Sequence, residues 1–378
     1  MKKYYALVLC LLLTAFTSNT NAKTTLVKQT YQEADGDNLV VTAEKLFNVG
    51  RNYYFGINGY SKDLEQAAYS YQRAADLGST DAMNNLGFCY KNGHGLPQDT
   101  ELAMFWYQKS ADLGNTTAMK NLGLCFYEGN CVPQDYDKAV YWLRKAAQLG
   151  NAEAMNSLGF CYLKGHGLPQ DFEKAVKLFQ EAADQGDDEA MSNIGSCYYF
   201  GRGLPLDYEQ AVYWFRKAID LGNIDAMDGL AYCYEYGYGV PQDAEQTEYW
   251  CKKAAELGNA SAMSHLGTLY YNGTVLQQDP ELAMFWTQKA ANLGNATAMN
   301  NIGFHYIEGN IVPQNLELAL LWLQRAANLG NADAICSLGF CYYNGLGVQK
   351  DEQMAKALWT KASELGNALA KEKLKLFE

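Results

Sequence analysis

Thiols are the first groups in this chain whose chemistry the spacing singles out. It has ten cysteines in 378 residues, and six recur at one spacing: Cys89, Cys125, Cys161, Cys197, Cys233 and Cys341, with Leu269 and His305 in the two remaining places. A thiol can close a disulfide or bind a metal. A column of this kind can do neither by itself. Equivalent helices of stacked repeats lie about 10 Å apart, whereas a disulfide needs Cα atoms within about 7 Å. The column also falls beside Ala82 and Leu86, at the edge of an apolar stripe, where a cysteine acts as a small hydrophobe. Cys131, Cys251 and Cys336 have no evident partner.

The histidines offer little more. His94 and His166 share a turn position two repeats apart, too far for one ion, and His265 and His305 lie in different columns. A bound metal needs three or four converging ligands, so no metal and no cofactor is expected. The chain has no H-E-x-x-H, no Walker loop, no dinucleotide fingerprint after a strand and no S-x-x-K. Hence no catalytic residue is assigned, and the chain is not expected to be an enzyme. Four N-x-S/T sequons begin at Asn115, Asn259, Asn272 and Asn295. Three of those asparagines have a structural use in the repeat.

The elements that would position these residues repeat every 36 residues. Leu-Gly closes a helical pattern at Leu77-Gly78, Leu113-Gly114 and Leu149-Gly150, Gln185-Gly186 stands in next, and the series runs on to Leu365-Gly366 without insertion. Self-similarity at such a period is the mark of a solenoid. In residues 79–114, Ser79 opens the first helix and Asp99 the second. Both head columns of Ser, Asn or Asp, the residues whose side chains accept from the free amides of a helix start. Ala82, Met83, Leu86 and Tyr90 mark the apolar stripe of the first helix. Gly87 and its equivalents recur inside that helix, although glycine costs about 1 kcal/mol there. They therefore imply close approach of a neighbour, expected to be the tryptophan column Trp106, Trp142, Trp214, Trp250, Trp286 and Trp322.

Unit positions 84, 88 and 91 point roughly 180° from the apolar stripe. Aromatic and aliphatic residues gather there: Phe88, Leu124, Tyr127, Phe160, Tyr199, Tyr232, Tyr271, Phe304, Phe340 and Tyr343. Such a row either forms a binding groove or packs between repeats. Asn84, Asn85, Lys120, Asn121, Asn156, Asn300 and Asn301 add donors suited to an extended peptide backbone.

These columns resemble the Sel1-like repeat family, 36-residue relatives of tetratricopeptide repeats. One instance reads Ala154, Leu158-Gly159, Tyr162, Gly165, Gly167, Asp171, Ala175, Ala182-Ala183, Gly186. The resemblance implies an all-α fold, a right-handed α-solenoid of antiparallel helix pairs, acting as an adaptor for protein partners along its concave face. The expected organisation is an array of nine pairs over 39–366, the first degenerate, and a capping helix over 367–378. The cysteine-rich branch of the family places paired cysteines where this chain has alanine and methionine. Its disulfide framework and penicillin binding are therefore not carried over.

Residues 1–22 read as a secretory signal: Lys2 and Lys3, then 13 mostly apolar residues from Tyr4 to Phe16, then a small-residue site at Ala22. A short extension over 23–38 would follow. Cys10 follows Leu9, where a lipoprotein signal wants Gly or Ala, so no lipid anchor is expected. The remaining chain lacks an apolar run of membrane-spanning length. With 30 basic against 42 acidic residues and a net charge of −12, the full chain is a poor partner for nucleic acid or anionic lipid. An exported array of this kind is similar to secreted Sel1-repeat proteins of intracellular bacteria, including those of Legionella in host entry and vacuole trafficking. The expected function is an exported interaction scaffold in the periplasm or outside the cell. The alternatives are a periplasmic regulator of envelope complexes, and a β-lactam or cell-wall hydrolase of the cysteine-rich type.

Overall fold

The computed structural model describes residues 36–377, with side chains from Thr42. The expected signal segment over 1–22 lies outside the described residues. So do residues 23–35 of the expected extension. Among the described residues the chain forms nineteen α-helices and no strand. They run as nine antiparallel pairs, from Gly36–Phe55 with Leu64–Asp76 to Ala332–Asn344 with Glu352–Glu364. Ala368–Leu374 follows, with a short 3-10 turn over Lys375–Phe377. The fold is the expected all-α solenoid type with a 36-residue repeat. The chain divides into two compact units, one up to Ala146 and one from Ala147 onward.

The capping columns explain why the helices begin where they do. Ser79, Asn115, Asn151, Asp187, Asn223, Asn259, Asn295, Asn331 and Asn367 each accept a hydrogen bond from the backbone amide three residues on, at 2.7–3.2 Å. The aspartates that open the second helices do the same, as Asp99 does for Leu102 at 2.9 Å. Asparagine has a further use. Its amide donates back to the preceding repeat, Asn115 to Asp81 at 2.7 Å and Asn259 to Asp225 at 2.6 Å. In the turn between the helices, Gln98 donates to the carbonyl of Lys91 at 2.9 Å, and Gln134, Gln170, Gln242, Gln278 and Gln314 repeat the bond. One carbonyl left unpaired at the end of each first helix is thereby satisfied. Gly95 is fixed by space as well as by its φ of +73°, since a Cβ there would lie 1.9 Å from the Leu64 carbonyl oxygen.

The interior corrects one expectation. The glycines inside the first helices do face close neighbours on the second helices, but not the expected tryptophan column. A Cβ on Gly159 would sit 2.7 Å from the Phe179 ring, and one on Gly87 would sit 2.8 Å from Tyr107. The facing column is therefore one residue further along the second helix: Tyr107, Leu143, Phe179, Phe215, Cys251, Thr287, Leu323 and Trp359. One residue turns a helix by about 100°, enough to move a side chain from the helix pair's seam to its flank. The tryptophans occupy that flank. Each is covered by the cation three residues on, as Lys109 covers Trp106 at 4.8 Å and Arg325 covers Trp322 at 4.9 Å. Where leucine (Leu178) replaces the tryptophan, Glu181 replaces the cation.

Candidate functional site

The outer face of the first helices carries two columns with different fates. Phe88, Tyr232, Phe304 and Phe340 are open to solvent at 36–45%, while Leu124 and Phe160 in the same column are half-buried. The second column, Tyr127, Tyr199, Tyr271 and Tyr343, is half-buried throughout. These tyrosines pack mainly onto the second helix of their own repeat and onto the repeat that follows. Tyr199 meets Tyr208 and Tyr238 with ring centroids at 5.4 and 5.9 Å. Tyr343 meets Trp359 at 5.4 Å, and Tyr127 meets Tyr136 at 5.3 Å. Burial pushes the Tyr199 hydroxyl above the ordinary tyrosine range. Tyr271 donates to Glu308 in the next repeat at 2.6 Å. That bond, aided by burial, raises its pKa. Its ring lies 4.5 Å from His305, whose imidazole burial holds below the usual range. The second column thus joins repeats, and the first offers surface.

The amides expected to grip a peptide backbone are engaged with one another. Asn121 donates to Asn84 at 2.8 Å in the first unit. Asn193 donates to Asn156 at 2.8 Å, and Ser337 to Asn300 at 3.2 Å, in the second. Asn84 and Asn156 are buried. These ladder bonds tie three first helices to their neighbours within one unit or the other, and the groups that make them are spent on the repeat.

The six cysteines of the recurring column are buried and unpaired with one another. Cys131, which showed no partner in sequence, sits in its turn with Sγ 2.9 Å from Cys125 Sγ.

A second exposed row was missed by sequence reasoning. Phe105 and Tyr141 in the first unit, and Tyr213, Tyr249, Phe285 and Leu321 in the second, stand 46–58% exposed on the second helices. Each aromatic among them meets the following tryptophan edge-on, at 5.0–5.6 Å between centroids. The signal was present in the repeated aromatic–Trp pairs, which were read only for their tryptophan. Among the described residues no helix is long and apolar enough to cross a membrane.

Comparison with known proteins agrees with this architecture. The Sel1 repeat model matches nine consecutive segments: 46–79, 80–115, 116–151, 152–187, 188–223, 224–259, 260–295, 296–331 and 332–367. Among solved structures, the chain is similar to a protective antigen present in uropathogenic Escherichia coli strains that displays an SLR fold. The two are 30% identical over 90% of this chain and 82% of that one, with a TM-score of 0.52. A Sel1 repeat protein from Oxalobacter formigenes is also 30% identical, over 68% of this chain and 97% of its own, with a TM-score of 0.58. No match was found among curated proteins. Sel1 repeat proteins generally act as protein–protein interaction scaffolds, and the solenoid is typically non-catalytic. Nine tandem matches, the cap and glycine columns and two solved relatives together establish that the chain belongs to the Sel1 repeat family.

Proposed function

We propose that the chain is an exported, non-catalytic scaffold that binds a segment of a protein partner across the outer face of its first helices. The observation that carries this is the row of rings Tyr232, Phe304 and Phe340 in the second unit, with Phe88 at the same repeat position in the first, each left 36–45% exposed. Exposed aromatic side chains are the residues most often found at the energetic centre of protein interfaces. A hydrophobic rather than ionic contact is favoured, because the side chains that the column leaves open are uncharged rings. Export rests on the Lys2–Ala22 signal organisation, and it is in keeping with the similarity to a protective antigen. Residence in the periplasm or outside the cell, and a role in host entry or trafficking, belong to this same reading.

Two measurements test it. N-terminal sequencing of the protein recovered from cell fractions should begin at Lys23 and should place it outside the cytoplasm. A start at Met1 would remove export. Capture of periplasmic and host proteins with the mature chain should yield a partner that Phe304→Ala with Phe340→Ala releases while melting normally. A partner found only in the envelope would favour the regulator of envelope complexes over a host-directed role. Turnover of nitrocefin abolished by a single substitution would replace the scaffold reading with the hydrolase.

A further inference from the structure

Four side chains from three consecutive helices meet inside the second unit, from Asp225–Tyr236, Ala244–Glu256 and Ala260–Asn272. His265 lies at their centre. Its Nδ1 is 3.0 Å from Asp228 Oδ1 and 3.3 Å from Cys251 Sγ, and its Nε2 is 2.8 Å from Glu235 Oε2. Ligand atoms of Asp228, Cys251 and His265 all lie within 4.8 Å of one another. All four residues are buried, Cys251 completely. Tyr232 covers the imidazole, stacked at 3.8 Å with 9° between the planes.

Each of the four departs from its own column. In the other full repeats the place of His265 holds asparagine, serine or glycine. That of Asp228 holds asparagine, serine, lysine or cysteine. Glu235 replaces tyrosine, leucine, isoleucine or lysine, and Cys251 replaces a bulky apolar residue or threonine. His265 and Asp228 stand where the ladder elsewhere has Asn121 with Asn84, or Asn193 with Asn156. The ladder needs only amides. Cys251 answers the neighbouring Ala231, but His265, Asp228 and Glu235 depart as well, and their convergence with it on one buried point exceeds what holding two repeats together requires. Burying charge in their place is costly.

We propose that Asp228, Cys251 and His265 form a zinc site. Carboxylate, thiolate and imidazole make a mixed donor set suited to zinc and foreign to calcium or magnesium. Tetrahedral zinc, with bonds of about 2.0–2.3 Å, sets its nitrogen and oxygen ligands roughly 3.3 Å apart and its nitrogen and sulfur ligands roughly 3.5 Å apart. The observed 3.0 and 3.3 Å need to open by only a few tenths of an ångström, while the Asp228 and Cys251 ligand atoms, which lie within 4.8 Å, settle at roughly 3.5 Å. Glu235 supplies the remaining part. A metal-bound imidazole gives its other ring N–H to a carboxylate, which fixes the tautomer, and Glu235 sits on Nε2. Zinc binds the thiolate and the unprotonated Nδ1, so any proton on either group leaves as the ion enters. The fourth position falls to water. Because the ligands come from three successive helices, the ion would clamp one repeat to the next.

Sequence reasoning expected no metal, because it compared histidines only with histidines. The ligands come from different columns and different residue types.

Cobalt(II) chloride is the probe, added to the full chain beginning at Lys23, with zinc as competitor. One equivalent of cobalt should produce a thiolate-to-cobalt charge-transfer band that zinc abolishes, and zinc should raise the melting temperature. His265→Asn, which restores the residue common in that column, should fold and lose the band. Cys251→Ser should lose it as well. Glu235→Gln should weaken cobalt affinity by about 10–100-fold. If His265→Asn does not fold, Cys251→Ser decides the matter. No band with the unaltered chain would overturn the proposal. So would a band that survives both His265→Asn and Cys251→Ser.

Discussion

Substituting Gly159 by alanine probes the packing of the solenoid at its tightest point. On an isolated helix the change would stabilise by about 1 kcal/mol. Here the new methyl would lie 2.7 and 2.9 Å from two ring carbons of Phe179 and 3.1 Å from the Ala175 carbonyl oxygen. Ordinary contact begins near 3.4 Å, so the ring must retreat by more than half an ångström. Phe179 is fully buried and has no solvent to swing into. Overpacking of this kind costs about 1–3 kcal/mol. The net expectation is a loss of roughly 1 kcal/mol in place of the gain that helix propensity predicts. Phe179→Cys alone should cost about 3 kcal/mol or more through the cavity it leaves. The double variant should cost less than the sum by about 1 kcal/mol, since the methyl enters the space the ring vacates. The sixth repeat already contains that combination as Ala231 and Cys251. Urea unfolding of the four proteins, analysed as a cycle, measures the coupling. Additive costs, or a Gly159→Ala that stabilises, would mean that the glycine column is not held by close approach.

Two further outcomes follow from the thiols. Oxidised glutathione should close Cys125 and Cys131, whose sulfurs lie 2.9 Å apart, and leave the other seven free cysteines alkylatable after unfolding. Peptide mapping that finds another pair, or none, would contradict this. Burial pushes the thiols of Cys89 and Cys233 up to about 12 and those of Cys161, Cys197 and Cys341 up to about 11. An unfolded thiol ionises near 8.5, so these groups bind their protons more tightly when folded. Their contribution is full below about pH 8.5 and is lost as the pH rises through 11 to 12. Melting temperatures should fall across that window, and native thiolate absorbance should stay low until it is reached. Thiolate appearing near pH 8.5 in folded protein would refute the burial of the column.

The legible part of this molecule was the part written many times. Cap residues such as Asn259 and Asp99 head columns of nine, and each has one geometric task that sequence chemistry names. The glycine column was legible for the same reason, since one unfavourable residue kept at Gly87, Gly123 and Gly159 demands a neighbour. Its neighbour was not. Tryptophan was chosen for size, whereas Phe179 faces Gly159 because of a one-residue phase along the second helix, which only packing sets. The candidate surface was half legible. Phase told that Phe304 and Tyr271 both point away from the core, but not that His305 and Glu308 of the next first helix would engage Tyr271 while Phe304 stays open. The exposed rings of Phe105 and Tyr249 went unread because the aromatic–Trp pairs were read only for their tryptophan. The His265 cluster was illegible as a unit. Its members stand 7 to 37 residues apart in four columns, and each departure alone resembles ordinary variation.

The central claim is that partner binding resides on the first helices and not on the equally aromatic second helices. The direct measurement is parallel capture by three forms of the mature chain, with melting recorded for each. These are the unaltered protein, Phe88→Ala with Phe304→Ala and Phe340→Ala, and Phe105→Ala with Tyr249→Ala and Phe285→Ala. An interface aromatic contributes about 2 kcal/mol or more when truncated, roughly thirtyfold in affinity. The first variant should therefore lose the partner that the unaltered chain retains, and the second should keep it. Loss of the partner by the second-helix variant alone would contradict the account.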